Sequence, residues 1–365
     1  MRASSSPLDG RPSEPAGPSS SAVRSRSGAD RSAPLPERGD HVLDRSATVL
    51  VAGSTGLVGS AVLRHLRARG FTSVVGTHSA DLDLTDGPAT LDYLSSLRPA
   101  VVIDAAARVG GIAANDAEPV EFLNDNLTIQ TNLFTAAHAA DVDRLLFLGS
   151  SCIYPKHSPQ PIPESALLTG PLEETNDAYA IAKIAGVVAV RSYRRQYGRR
   201  WISAMPTNVY GPGDNFHPTR SHVLPALARR FHEAVRDGAE EVVVWGTGTP
   251  RREFIHVDDL AAACLHLLDH YDDPSPVNIG VGEELTIADL AALVAGAAGF
   301  TGRITWDTSR PDGTPRKLLD VSRLRATGWK PRIELADGVR STVRWYADHA
   351  DRAAEPDAGA RPDGP

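Results

Sequence analysis

The sequence predicts an α/β protein in which a doubly wound parallel sheet is followed by a smaller α/β substrate domain. Three observations carry this expectation. Short, near-continuously apolar segments alternate with helical ones, as strands covered on both faces do. A Gly-rich segment, Gly53-Ser-Thr-Gly56-Leu-Val-Gly59, follows the first strand and opens the first helix. Past about Gly213 the alternation loosens into helix, strand and Pro/Gly-rich loops.

In chain order, Thr48-Val-Leu-Val-Ala reads as a short β-branched strand and Ser60 to Arg69 as a helix. A strand at Ser73 to Gly76, a helix near Ala89 to Leu97 and a buried-type strand at Ala100 to Ala107 follow. A helix from about Val120 to Ala140, a strand at Arg144 to Gly149, a helix at Ala178 to Tyr197 and a strand at Trp201 to Pro206 complete the run. Residues 47–212 are therefore expected to form a dinucleotide-binding domain to which 252–280 return. The substrate-binding part then comprises 213–251 and 281–348. Residues 1–46 are rich in Ser, Pro and Arg without apolar periodicity, and 349–365 are similar, so both ends are expected to be disordered tails. No internal repeat is present.

Composition narrows the function classes. A chain of 365 residues, 41% hydrophobic and 23% charged, can bury a full core and needs no disulfide framework. It contains no apolar run of the ~20 residues a membrane span requires and no ~7–15-residue apolar stretch of a secretory signal. A net charge of −7 supplies no basic field for nucleic acid, so an anionic ligand must be held by local basic groups. With two cysteines, Cys152 and Cys264, a reducing cytoplasm is the expected compartment. His217, His232, His256 and His266 carry no metal-ligand spacing, and no metal is expected.

The chemistry begins at the glycine loop. Gly53, Gly56 and Gly59 permit a tight turn and let a pyrophosphate approach backbone N–H groups at the positive end of a helix, with Ser54, Thr55, Leu57 and Val58 between them. In this strand–loop–helix setting the sheet is read as Rossmann-type. Tyr179-Ala-Ile-Ala-Lys183 lies on a helix, so phenol and ammonium sit one turn apart on one face. A neighbouring ammonium is expected to lower the phenol pKa and make Tyr179 a proton donor and acceptor near neutrality. Ser150-Ser151 stands at a strand's carboxyl end.

These features together resemble the extended short-chain dehydrogenase/reductase family. Several further segments resemble its GDP-L-fucose synthase branch: Leu148-Gly-Ser-Ser-Cys152-Ile-Tyr-Pro-Lys156, Tyr179-Ala-Ile-Ala-Lys183-Ile-Ala-Gly186, Met205-Pro-Thr-Asn-Val-Tyr-Gly-Pro212, Asp214-Asn-Phe-His-Pro218 and Ser221-His-Val-Leu-Pro225. Val109-Gly-Gly-Ile112, Val244-Trp-Gly-Thr-Gly-Thr-Pro-Arg-Arg252 and Asp312-Gly-Thr-Pro-Arg-Lys-Leu318 extend the likeness, which runs in unbroken order from Ala47 to Ala347.

The resemblance implies conversion of GDP-4-keto-6-deoxy-D-mannose to GDP-L-fucose by epimerisation at C3 and C5 and reduction at C4. A 4-keto group acidifies the neighbouring carbons, and inverting each requires an acid/base pair across the ring. Cys152 and His222 fit that pair, and both residue types exchange protons near pH 7 with little tuning. Tyr179, Lys183 and Ser150 are the implied reductive set. Leu148, Gly149, Ser150, Ser151, Lys183, Pro206, Asn208 and Val209 join the glycine loop in holding the cofactor.

Basic pairs at Arg229-Arg230, Arg251-Arg252 and Arg316-Lys317 offer local phosphate binding. The family singles out Arg230, Trp245, Arg252, Asp312 and Lys317 as nucleotide-sugar contacts. After the second strand stands neither the acid of an NAD reader nor the arginine of an NADP reader. The stretch Gly76-Thr-His-Ser-Ala-Asp81 offers Thr77, His78 and Ser79 to a 2′-phosphate, and NADP(H) is expected in preference to NAD(H). A homodimer built on the helices near Val120–Ala140 and Ala178–Tyr197 is implied. Alternative readings are a GDP-hexose epimerase with tightly bound NAD and no net redox, and a non-catalytic dinucleotide-sensing protein. Cys264, in Ala261-Ala-Ala-Cys-Leu-His-Leu-Leu268, reads as core.

Overall fold

The computed structural model describes residues 42–310 and 312–353. The first half of the chain runs β1 (Val49–Ala52), α1 (Leu57–Ala68), β2 (Val74–Thr77), α2 (Gly87–Leu97), β3 (Val101–Asp104), α3 (Ile112–Ala117), α4 (Pro119–Ala139), β4 (Arg144–Leu148), α5 (Asp177–Tyr197), β5 (Ile202–Pro206) and β6 (Asn208–Tyr210). Helix α1 starts three residues earlier than the apolar pattern suggests, because Gly56 takes the cap position. The second half runs α6 (Val223–Arg236), β7 (Glu241–Trp245), β8 (Arg251–Arg252), β9 (Phe254–His256), α7 (Val257–His270), β10 (Val277–Ile279), β11 (Leu285–Thr286), α8 (Ile287–Ala298), β12 (Arg303–Asp307), β13 (Arg316–Lys317), α9 (Ser322–Ala326) and α10 (Leu335–Ala353).

Six parallel strands form the central sheet in the order β10-β5-β4-β3-β1-β2. Strand order reverses between β1 and β3, and the crevice at the carboxyl ends of those strands is where such sheets bind ligands. Alternation along each buried strand splits the core into two layers. Val49, Val51, Val101 and Ile103 face the layer of α1 and α7, whereas Leu50, Ala52, Val102 and Phe147 face that of α4 and α5. A third apolar cluster unites α6, α8 and α10 through Leu227, Phe231, Leu290, Val294, Val339 and Val343. Cys264 is fully buried in the first layer, which pushes its thiol up to about 12 and suits packing alone.

Three small sheets carry the rest. Strands β6 and β9 pair in parallel, β7 pairs with β12, and β8 lies between β11 and β13. Residues 43–46 and 349–353, expected to lie in tails, are instead part of the fold. Leu43 packs on the core and its N–H donates to Asp269 at 2.9 Å, while α10 continues to Ala353. Residues 1–41 and 354–365 lie outside the described residues.

Candidate active site

The glycine loop leaves β1 at the point where strand order reverses. Gly53 has φ +75°, and a Cβ there would come within 2.8 Å of the Ala105 carbonyl and Ala106, so only glycine permits this approach to the end of β3. At Gly56 the nearest atom to an added Cβ is a loop carbonyl 3.5 Å away, and no side chain caps α1. Gly56 is exposed and adds no side chain, so the uncapped first turn of a 12-residue helix, at Leu57 and Val58, forms a cradle at the helix's positive end. That cradle fits a pyrophosphate.

Ser54 is buried, with its N–H on the Thr77 carbonyl at 2.9 Å, and Thr55 is exposed. Of the three groups expected to meet a 2′-phosphate, Thr77 is 2% exposed and drops out. His78 and Ser79 reach solvent, and the His78 imidazole faces Asp81 at 3.1 Å.

The ends of β4, β5 and β6 bring Leu148, Gly149, Ser150, Ser151, Pro206, Asn208 and Val209 to the same edge. Gly149 has no room for a side chain, because the Met205 thioether fills the space a Cβ would take. Ser150 opens a 3-10 turn at Ser151–Ile153, and its Oγ accepts the Cys152 N–H at 3.2 Å. The same hydroxyl hydrogen-bonds the Tyr179 side chain from the first turn of α5. Hydroxyl, thiol and phenol thus converge on one turn.

Lys183, one helical turn on, is 4% exposed and donates from Nζ to the Leu148 carbonyl at 2.9 Å. The ammonium lies over the Phe147 ring at 4.9 Å and over the Tyr179 ring at 5.9 Å. The expected lowering of the Tyr179 phenol does not occur. Burial pushes it well above its ordinary value, the nearby Cys152 adds to the rise, and the Ser150 hydrogen bond only partly opposes it. Burial also brings Lys183 down to about 8.

Around the thiol, Asn176 Nδ2 donates to Cys152 Sγ at 3.3 Å and Lys317 Nζ stands 3.9 Å from it. Asn176 is a residue that sequence reasoning misses. It occupies the cap position of α5 yet makes no side-chain cap, because its amide turns to the sulfur instead. Its Oδ1 is buried without a partner. A cap-type residue is read from sequence as a helix start, which hides the second role.

His222 stands at the cap of α6. Solvent reaches its surface, but the protein crowding its other sides disfavours the imidazolium and lowers its pKa below the ordinary value. Its loop is tied to the Val109-Gly-Gly-Ile112 segment. The Gly111 N–H donates to the Arg220 carbonyl at 3.2 Å, and Glu118 holds Arg220 at 2.8 Å and Arg108 through its other oxygen.

The three basic pairs resolve in the same way. Arg229 is held by Glu233 one turn away at 2.7 Å, while Arg230 lies 5.9 Å from the centre of the Trp245 ring. Trp245 is 53% exposed, and Arg310 covers it at 5.1 Å. In the small sheet, Arg251 is opposite Arg316 and Arg252 opposite Lys317. Arg251 and Arg316 both lean on Glu284, at 2.8 and 2.9 Å. Side chains alternate along a strand, so Arg252 and Lys317 share the other face. Burial lowers the Arg252 pKa, opposed first by the charge of Cys152. Among the described residues Arg230, Arg252 and Lys317 form no ion pair. Asp312 differs, since both of its oxygens accept from Thr247, at 2.7 and 2.8 Å, and its carboxylate closes that turn.

The model of the NAD dependent epimerase/dehydratase family matches residues 49–280. The chain belongs to this family. Its matched span holds the glycine loop, the Ser150–Cys152 turn, the Tyr179–Lys183 helix, His222 and Arg252, whereas Asp312 and Lys317 lie beyond it. Family members with close sequences are GDP-L-fucose synthases. GDP-L-fucose synthase 1 of Arabidopsis thaliana is 58% identical over 303 residues, covering 83% of this chain and 94% of that protein. The Escherichia coli GDP-L-fucose synthase is 51% identical over 313 residues, covering 83% and 98%. Among solved structures, a GDP-L-fucose synthetase of Naegleria fowleri bound to NADP superposes with a TM-score of 0.79 at 30% identity, covering 86% of this chain and 98% of the other.

Proposed function

We propose that the protein is an NADP-dependent GDP-L-fucose synthase, converting GDP-4-keto-6-deoxy-D-mannose to GDP-L-fucose by inversion at C3 and C5 and reduction at C4. One observation carries this reading: a thiol and a phenol come together at a single serine-opened turn, with the Lys317 ammonium 3.9 Å from the sulfur and Arg252 paired beside Lys317 in the small sheet. The Gly53–Gly59 loop and Lys183 would hold NADPH, which would supply the hydride for C4 when bound. The relatives named above support both substrate and cofactor.

Each side chain has a role. Tyr179, kept protonated by its burial, donates to the C4 oxygen, and Ser150 orients it through their hydrogen bond. Cys152 and His222 remove and return the protons on C3 and C5, whose acidity comes from the neighbouring carbonyl. His222 stays neutral at pH 7, so it can accept a proton there. Lys317, 3.9 Å from the thiol, and Arg252 beside it present positive charge to the oxygen of the keto-sugar. Arg230 and Trp245 offer a charged edge and a flat face to the nucleotide.

The exposed Val120 on α4 and Ile181 and Val188 on α5 support a homodimer through these two helices. A free thiol at the centre of the chemistry suits a reducing cytoplasm. No helix among the described residues is long and apolar enough to cross a membrane.

The test is turnover of GDP-4-keto-6-deoxy-D-mannose with NADPH in deuterated water. The expected product is GDP-L-fucose with deuterium at C3 and C5 and one NADPH consumed per sugar. NADPH consumption without deuterium would leave a simple reductase, and deuterium without NADPH consumption an epimerase.

A further inference from the structure

Strand β3 reads Val101-Val-Ile-Asp104, and all four residues are buried. An acid at the end of such a strand is anomalous, since ionised carboxylates avoid apolar layers unless paired. Asp104 is 1% exposed. Its Oδ1 accepts the Ala106 N–H at 3.2 Å, but Oδ2 is enclosed without any hydrogen-bond partner.

Register shows what it faces. Val102 belongs to the layer covered by α4 and α5, so Asp104, two residues on, points to that layer too. It lies beside Ala52 of β1 and Phe147 of β4. The Lys183 ammonium sits over that same Phe147 ring and gives a hydrogen bond to Leu148. From α4 the layer receives neutral amides, Asn126 and Gln130, and the Gln130 Oε1 is also enclosed without a partner. From α5 it receives Lys183 and, beyond it, Tyr179. Lys183 is thus the cation of this layer, and each charge acts on the other: Lys183 opposes the desolvation of Asp104, and Asp104 that of Lys183.

We propose that Asp104 is a positioning residue for the reductive half of the site, its carboxylate facing the layer that holds the buried Lys183 ammonium and keeping that ammonium charged at the carboxyl end of the sheet. This rests on Lys183 serving the cofactor and Tyr179 as proposed above. The two groups define a working window. Burial raises Asp104 to about 6 and lowers Lys183 to about 8, so between these values carboxylate and ammonium coexist. Without the carboxylate, desolvation of Lys183 is unopposed and its proton is lost at lower pH. An opposite charge at close range moves a pKa by about one unit or more.

The chain has four lysines, Lys156, Lys183, Lys317 and Lys330, so the Cε resonances can be followed individually by NMR. The Lys183 signal is assigned by its loss in Lys183→Arg. In the cofactor-free protein it is expected to titrate near 8, and about one pH unit lower in Asp104→Asn and Asp104→Leu, with the other three unmoved. The basic limb of NADPH-dependent turnover should fall by the same amount. If the leucine variant fails to fold, the near-isosteric asparagine variant carries the test. An unchanged Lys183 titration in Asp104→Asn, with NADPH turnover present in the natural protein, overturns this proposal and leaves the function standing. Absence of NADPH turnover in the natural protein overturns the function whatever Lys183 does.

Discussion

The site is assembled from two regions built on different plans. The proposed reductive half is local: Tyr179 and Lys183 share one turn of α5, Leu148 ends the adjoining strand, and Ser150 opens the turn that follows it. The half that surrounds the thiol is dispersed. Cys152, Asn176, His222, Arg252 and Lys317 come from five segments, and the last two meet only because two-residue strands β8 and β13 pair in register. Burial governs the first region, where it sets the protonation of phenol and ammonium together. Loop ties govern the second, through Glu284 beneath two arginines and Glu118 between two loops. A rigid strand-and-helix edge suits hydride transfer, which needs one fixed geometry, whereas proton exchange at two carbons needs groups on several sides of a ring.

Separating the two halves chemically gives the largest expected effects. Tyr179→Phe should lower reduction by about 10²- to 10⁴-fold while solvent deuterium still enters the keto-sugar. Cys152→Ser should do the reverse, cutting deuterium exchange by about 10²-fold or more, because a serine hydroxyl at pH 7 is a far weaker base. If either variant loses both activities with an unchanged melting temperature, the halves are not separable. Next in size, Arg252→Ala should raise the KM for the GDP-sugar about 10- to 100-fold, the effect of removing a charge-assisted hydrogen bond from a partly desolvated position.

The two halves should also part company with pH. Lys183 loses its proton as pH rises through about 8, so reduction should decline above that point. His222 has a lowered pKa and stays neutral to lower pH than an ordinary histidine, so exchange should persist on the acid side. The ratio of reduction to exchange, measured from NADPH absorbance and deuterium content from about pH 6 to about pH 9.5, should fall toward the basic end. A constant ratio would tie both halves to one ionisation. The smallest contrast lies within a basic pair. Arg229→Ala removes an i,i+4 helix pair and should cost about 0.5 kcal/mol of stability or less, with KM unchanged. Arg230→Ala should leave stability alone and raise KM several-fold.

The strands and helices of the central sheet were legible because buried parallel strands are near-continuously apolar; β1, β2, β4 and β5 fall within a residue or two of where that pattern puts them, while β3 ends at Asp104, three residues short of the expected Ala107. The small sheets were not. Strands of two residues such as β8, β11 and β13 carry no periodicity, and Arg251 and Arg316 read the same as Arg252 and Lys317 until Glu284 claims the first two. Spacing along α5 revealed that Tyr179 and Lys183 share a face but not that burial would outweigh the ammonium in setting the phenol. Asn176 and Asp104 escaped for a common reason. One imitates a helix cap and the other a polar strand end, and only their neighbours in space show otherwise.

The three-residue turn after β4 constrains how relatives of this enzyme can diverge. Ser150 and Cys152 are two positions apart on one piece of backbone, joined by the bond from the Cys152 N–H to the Ser150 oxygen. Any insertion, deletion or backbone shift there displaces both at once. On the roles proposed for the two side chains, exchange of the thiol alone would touch inversion and leave reduction, whereas remodelling of the turn would touch both. Divergence in the stereochemistry of the product would then run through side-chain exchange on a kept backbone.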